Sequence, residues 1–176
     1  MVASLLQDDL VQELNMLFAE DIFKNPKNER QALKAFPQAL PIPEAGRMPE
    51  GDMDPVLIEE GLGLSDQLSE DQLFPYAIVR VEDGEIAGAE ADQQINITLL
   101  FGSWDNDRNN QGNKDILHMI QKVYERFSKN PILAGRYECL GRMKWATQDE
   151  NSWPYFFGGM ELQFSTIAIR REDKYI

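Results

Sequence analysis

One cysteine and one histidine in 176 residues leave little for the commonest kinds of site chemistry. Cys139 alone cannot close an intrachain disulfide or build a thiolate metal cluster, a usage compatible with a reducing compartment. Any histidine-based triad or zinc centre would have to include His118. No apolar run nears the roughly 18 residues that suggest a membrane span. The opening residues Met1–Leu6 also lack the basic start and apolar core of a signal peptide. The expectation is a soluble chain, made and used in a cytoplasm. Basic residues are scarce too: 17 Lys and Arg stand against 30 Asp and Glu, a net charge of -13. Such a surface repels phosphates, which argues against sequence-specific binding of nucleic acid.

What is present is ordinary globular material, 43% hydrophobic and 27% charged, enough for a single domain over 1–176. The acidity is uneven. Residues 1–75 hold 15 acidic and 5 basic side chains, a balance of -10, whereas residues 76–176 hold 15 and 12, a balance of -3. The near-neutral part is expected to be the core, spanning 74–169.

A helix is predicted over Ser4–Phe23. Leu6, Leu10, Val11, Leu14, Leu17 and Phe18 share one face, and Asp8, Asp9, Gln12, Glu13 and Glu20 the other. Ser4 and Gln7 have capping-box spacing. Residues 27–71 read as an irregular arm or insertion. Glu29–Phe36 could form a short helix and Val56–Leu64 one helical turn, but five prolines and four glycines between Pro37 and Gly63 discourage longer elements. Strands are predicted over Phe74–Val81 and Gln94–Trp104, the latter with Ile95, Ile97, Leu99 and Phe101 alternating against Asn96 and Thr98. Together they suggest a hairpin with a long tip over Glu82–Gln93. Lys114–Phe127 reads as a helix capped by Asn113, with Asp115 at the positive end of its dipole. Tyr137–Leu140 and Arg142–Ala146 read as one strand interrupted at Gly141, and Tyr155–Ile169 as another. Gly158-Gly159 within the last suggests a bulge or a close backbone approach. The resulting fold class is α+β: an antiparallel sheet of about four strands with two helices packed on one face, plus a long Pro/Gly-containing insertion.

Candidate chemistry fails on inspection. Asp105, Asp107 and Asn109 imitate the start of a calcium loop, but Asn110 replaces the glycine at the sixth position and Ile116 the glutamate at the twelfth. His118 has Lys122, not a ligand, four residues on. Cys139 reads as a small buried hydrophobe. Gly158-Gly159 lacks the lysine and hydroxyl of a phosphate loop. Trp104, Trp145, Trp153, Tyr155, Phe156 and Phe157 suit a core or a protein interface better than base stacking in so acidic a chain. The expectation is no catalytic residue, no metal and no cofactor. A metal-dependent hydrolase or nuclease using clustered carboxylates is the rival from another class.

Four stretches carry a family likeness: Phe74-Pro75-Tyr76-Ala77-Ile78-Val79-Arg80, Ile95-Asn96-Ile97-Thr98-Leu99-Leu100-Phe101-Gly102, Gly112-Asn113-Lys114-Asp115-Ile116-Leu117 and Trp153-Pro154-Tyr155-Phe156-Phe157-Gly158-Gly159-Met160-Glu161. In order and spacing, with the N-terminal helix, they resemble the tail terminator (tail completion) proteins of long-tailed phages and prophages. The resemblance implies a non-enzymatic virion protein that assembles as a ring, commonly a hexamer, on the finished tail tube. It would stop polymerisation of the major tail tube protein and offer a surface to a head-completion or neck protein. It also implies a place in the virion tail, after assembly in the host cytoplasm. An acidic ring would let DNA pass without sticking. The departure from the family is residues 27–71, longer than compact members need, which keeps a head–tail connector, neck or other minor tail protein as the alternative.

Overall fold

In the computed structural model, residues 2–42, 72–88 and 91–166 are described. In chain order the elements are α1 (Val2–Leu17), β1 (Phe23–Lys24), β2 (Arg30–Gln31), β3 (Lys34–Pro37), β4 (Tyr76–Ile86), β5 (Gln93–Trp104), α2 (Asn113–Lys129), β6 (Ile132–Leu133), β7 (Tyr137–Thr147) and β8 (Tyr155–Thr166).

Strand β5 sets the architecture because its alternation is complete. Ile95, Ile97, Leu99 and Phe101 are all buried on one face. Antiparallel pairing with β4 and β8 runs along nearly its whole length, so both neighbours inherit the same division of faces. Phe164, Leu162 and Met160 of β8 lie opposite Ile95, Ile97 and Leu99, while Val79 and Ala77 of β4 lie opposite Leu99 and Phe101. These five side chains are buried as well. The sheet has six strands in the order β3-β4-β5-β8-β7-β6.

Two helices cover the apolar face. Leu6, Leu10 and Leu14 of α1 and Ile116, Met119, Ile120, Val123 and Phe127 of α2 join the strands in one core. Helix α2 packs on β5, β7 and β8. Helix α1 packs on β3 and β4 at one margin of the sheet and on β6 at the other. One helix can touch both margins only because the sheet curls into a half-barrel around it. Polar contacts fix α1 in that seam. Gln7 donates to the Val79 carbonyl oxygen at 2.8 Å, Glu13 pairs with Arg126 of α2, and Asp9 pairs with Arg136 at 2.5 Å.

The α+β class holds, with corrections in detail. The sheet is six-stranded and mixed: β3 runs parallel to β4, and β1 and β2 form a separate two-stranded sheet. Glu29–Phe36 is therefore not a helix. Its residues found partners across space, Ala35 N–H on the Asn15 side chain and Lys34 N–H on the Pro75 carbonyl, which local periodicity cannot foresee. Helix α1 begins before Ser4 and ends at Leu17, so Ser4 and Gln7 form no capping box. Gln7 instead spends its amide on β4 and Gln38. The N-cap of α2 is Gly112, without a side-chain bond, rather than Asn113. The hairpin tip is shorter than its residues suggest, because β4 continues to Ile86 and β5 begins at Gln93. Val56–Leu64 and residues 167–169 lie outside the described residues.

Glycine 158 is neither bulge nor hinge: β5–β8 register runs through it unbroken. A Cβ there would stand 2.4 Å from Ile116 Cγ2, so the missing side chain lets α2 lie against the sheet. Gly158→Ala should therefore destabilise the fold by about 1–3 kcal/mol, the usual cost of overpacking. Gly141→Ala meets no atom within 4 Å and should change stability by less than about 1 kcal/mol. Urea unfolding of the two variants checks the contrast.

Candidate assembly surfaces

The residues with potential chemistry are each held in a structural role. In the loop before α2, Asp105 accepts the backbone N–H of Asp107 at 3.0 Å, Asp107 that of Asn109 at 3.2 Å, and Asn109 that of Gln111 at 3.1 Å. The calcium-like spacing is thus a chain of turns, each side chain closing on the backbone two residues ahead. Among the described residues no group of three or more His, Cys, Asp or Glu side chains could hold a metal ion.

Histidine 118 is not isolated. Its Nε2 lies 3.0 Å from Asp21 Oδ2, which also takes Lys122 Nζ at 2.8 Å. Desolvation works to raise the Asp21 pKa, but the hydrogen bonds and charges of Lys122 and His118 outweigh it and hold the carboxyl below its ordinary value. Asp115 moves the other way, raised first by burial and then by the like charge of Asp105. Asp105 and Asp115 line a polar cleft of about 320 Å³ with Lys24 and Arg30. Two acids and two cations thus line one cleft, and the charges of His118 and Lys24 offset only part of the shift at Asp115. Ten residues apart in sequence, these carboxylates gave no signal. Burial pushes the Cys139 thiol up to about 12, so it stays protonated at neutral pH.

The four stretches with the family likeness meet at one end of the sheet. The Phe74 ring contacts Tyr76, Tyr155 and Phe157, with centroids 5.1, 5.2 and 6.4 Å apart. The Tyr76 ring lies across Gly102, where a Cβ would be 2.4 Å from Cε1, and the Phe156 ring fills the place of a side chain on Gly112. Each stretch thus supplies either an aromatic ring or the space another ring occupies. The packing leaves an aromatic shelf: Trp153, Tyr155 and Phe157 are 46%, 37% and 37% exposed, while Trp104 and Phe156 are buried. The Trp153 indole N–H donates to the Asp107 carbonyl at 3.2 Å, tying the shelf to the loop of turns.

A second apolar surface lies elsewhere. Between α2 and β7 runs a groove of about 600 Å³ lined by Leu117, Ile120, Tyr124, Met143, Trp145 and Met160, among others. Trp145 and Tyr124 remain 59% and 49% exposed. The spacing predicts that α2 buries Ile116, Leu117, Ile120, Val123, Tyr124 and Phe127 together, yet Leu117 and Tyr124 are 38% and 49% exposed. The apolar stripe is wider than the sheet covers. No helix among the described residues is long and apolar enough to cross a membrane.

Two expectations test these assignments. Native protein at pH 8 should label at Cys139 with iodoacetamide at least about tenfold more slowly than unfolded protein, because only the thiolate reacts. Asp21→Asn should cost at most about 1 kcal/mol at pH 7, the range for a partly solvated ion pair. The folded pKa is depressed, so this contribution is present above the unfolded carboxyl pKa and lost as pH falls through the folded value. The variant and parent should converge in stability on the acid side, which thermal melts from pH 7 down to about pH 3 would show. No family model matches the chain, and no curated protein matches it.

Proposed function

We propose that this protein is a ring-forming structural subunit of a phage or prophage tail, of the tail terminator type. The observation carrying the reading is that, among the described residues, the exposed aromatic side chains fall in two unlike places, Trp153, Tyr155 and Phe157 on the shelf and Tyr124 and Trp145 along the α2–β7 groove. A closed ring requires contacts between two different patches on each subunit, whereas a two-fold dimer uses one patch twice. Exposed aromatics beside buried ones are also what protein interfaces enrich. The chemical candidates, by contrast, are engaged in turns, ion pairs or the core. The likeness of the four stretches to tail terminators supplies the biological setting, and their convergence on the shelf explains why those residues stand together. The sheet differs from the four-stranded form expected, through β3 and β6 added at its margins.

In this reading the ring caps the finished tail tube, halts addition of the tube protein and presents its other side to the head. A connector or neck ring would share the same surfaces and is separated by what it binds. Purified protein mixed with polymerising tail tube protein should yield tubes of limited length bearing a ring at one end, seen by negative-stain electron microscopy. Protein that stays monomeric in the presence of tubes, with tube lengths unchanged, would refute the proposal.

A further inference from the structure

Beyond β3 and β6 the sheet stops abruptly, leaving two stretches of backbone with no strand outside them among the described residues. Pairing of β3 with β4 covers only Tyr76–Val79, and Gln38 Oε1 accepts the Val81 N–H at 3.2 Å, so among the described residues β4 is open from Glu82 to Ile86. Pairing of β6 with β7 covers only Tyr137 and Glu138, and the Pro131 carbonyl takes the Cys139 N–H, so β7 is open from Leu140 to Thr147. Glu82–Ile86 are all exposed, as are Gly141, Arg142 and Lys144–Ala146. Edge strands of this length are templates for another chain.

The two edges carry opposite charge on one face and exposed apolar side chains on the other. On the outer face, the open stretch of β4 carries Glu82, Asp83 and Glu85, of which Glu82 pairs with Arg80 at 3.3 Å, and that of β7 carries Arg142 and Lys144 with no acid. On the helix face, Ile86 follows Gly84, which pairs with buried Ile95. Trp145 pairs with buried Met160. Ile86 is 63% and Trp145 59% exposed. Both are apolar side chains with no cover, each at its own margin of the same face.

We infer that the Glu82–Ile86 edge of one copy pairs with the Leu140–Thr147 edge of the next, joining the sheets of successive copies into a closed belt. This rests on the ring reading above and places the contact between copies at the two sheet margins, the β7 margin bordering the α2–β7 groove and the aromatic shelf lying outside it. Successive neighbours from β4 through β5 and β8 to β7 are antiparallel, so β7 runs opposite to β4. A sheet continued in the same sense then meets the next copy's β4 in antiparallel fashion. The charges select this union: two β4 edges would oppose acid to acid, two β7 edges base to base, and only unlike edges attract. Head-to-tail contact follows, which is what a ring needs. The Lys144–Glu161 bridge within the chain, 3.5 Å long between side chains each 63% exposed, is weak enough to be recruited.

Register adds a geometric consequence. Lys144 is level with Arg80 through Glu161 and Thr98, and Leu140 is level with Asp83 through Gln163 and Asn96. The open stretches therefore lie at diagonal corners of the sheet. Joining them staggers each copy along the strands, the shear that any closed sheet requires. The bulges at Glu82 and at Gly141–Met143 bend both edges where they would meet.

The test uses the full chain carrying Asp83→Cys in one preparation and Lys144→Cys in another, positions that face each other when Glu82–Ile86 runs antiparallel to Leu140–Thr147; buried Cys139 stays silent. Under a short bismaleimide, the mixture should give cross-linked dimer at least fivefold above either preparation alone, and a chain bearing both substitutions should give a ladder of higher oligomers. Arg142→Glu with Lys144→Glu should abolish assembly in sedimentation, and adding Asp83→Lys with Glu85→Lys to the same chain should restore it. If rings form but the mixture cross-links no better than its components, edge pairing is wrong and the ring reading stands. If neither rings nor cross-links form, with or without tail tubes, both fall.

Discussion

Burial of one face of β5 is the constraint from which the rest of the molecule follows. Four large aliphatic and aromatic side chains at every second position cannot face water, and each contributes about 1.5–3 kcal/mol when buried. Their alternation fixes the register of β4 and β8, because a slip of one residue would expose the whole set. Two helices close over that face, and α1 draws the margins of the sheet together by touching both. The curl is thus a consequence of covering a wide apolar face with few helices.

The same economy explains what is left exposed. The sheet curls toward α1, and α2 covers β5, β7 and β8 only in part, so Trp145 and Tyr124 lie along an open groove. At the end where β4 begins and β8 begins, rings interlock through glycine gaps and the outermost ones emerge as a shelf. These exposed side chains are the ones the proposed ring would cover. The charged margins of the sheet fit the same account. In the proposed belt, acid on one edge and base on the other would disfavour pairing between like edges while leaving unlike edges attracted.

The pattern Asp105, Asp107, Asn109 breaks where a calcium loop needs glycine and glutamate, and the three side chains indeed close on backbone amides. The tie of His118 to Asp21 was not legible, since 97 residues separate them and neither has a helical or strand partner that would announce it. Asp105 and Asp115 escaped for the same reason. Electrostatic partners chosen across the fold leave no periodic trace.

By itself the sequence determined the strands β4, β5 and β8, the amphipathic helices and the division of their faces, because these rest on local alternation at periods of 2 and 3.6 residues. It also determined the scarcity of reactive groups. Only tertiary structure decided that Lys34–Pro37 would be a parallel strand, that α1 would end at Leu17, that the glycines at 102, 112 and 158 would receive the rings and methyls of other segments, and that the sheet would stop with two open edges of opposite charge. Each of those depends on a partner distant in the chain, and the free energy of a contact made on folding is written in no single segment.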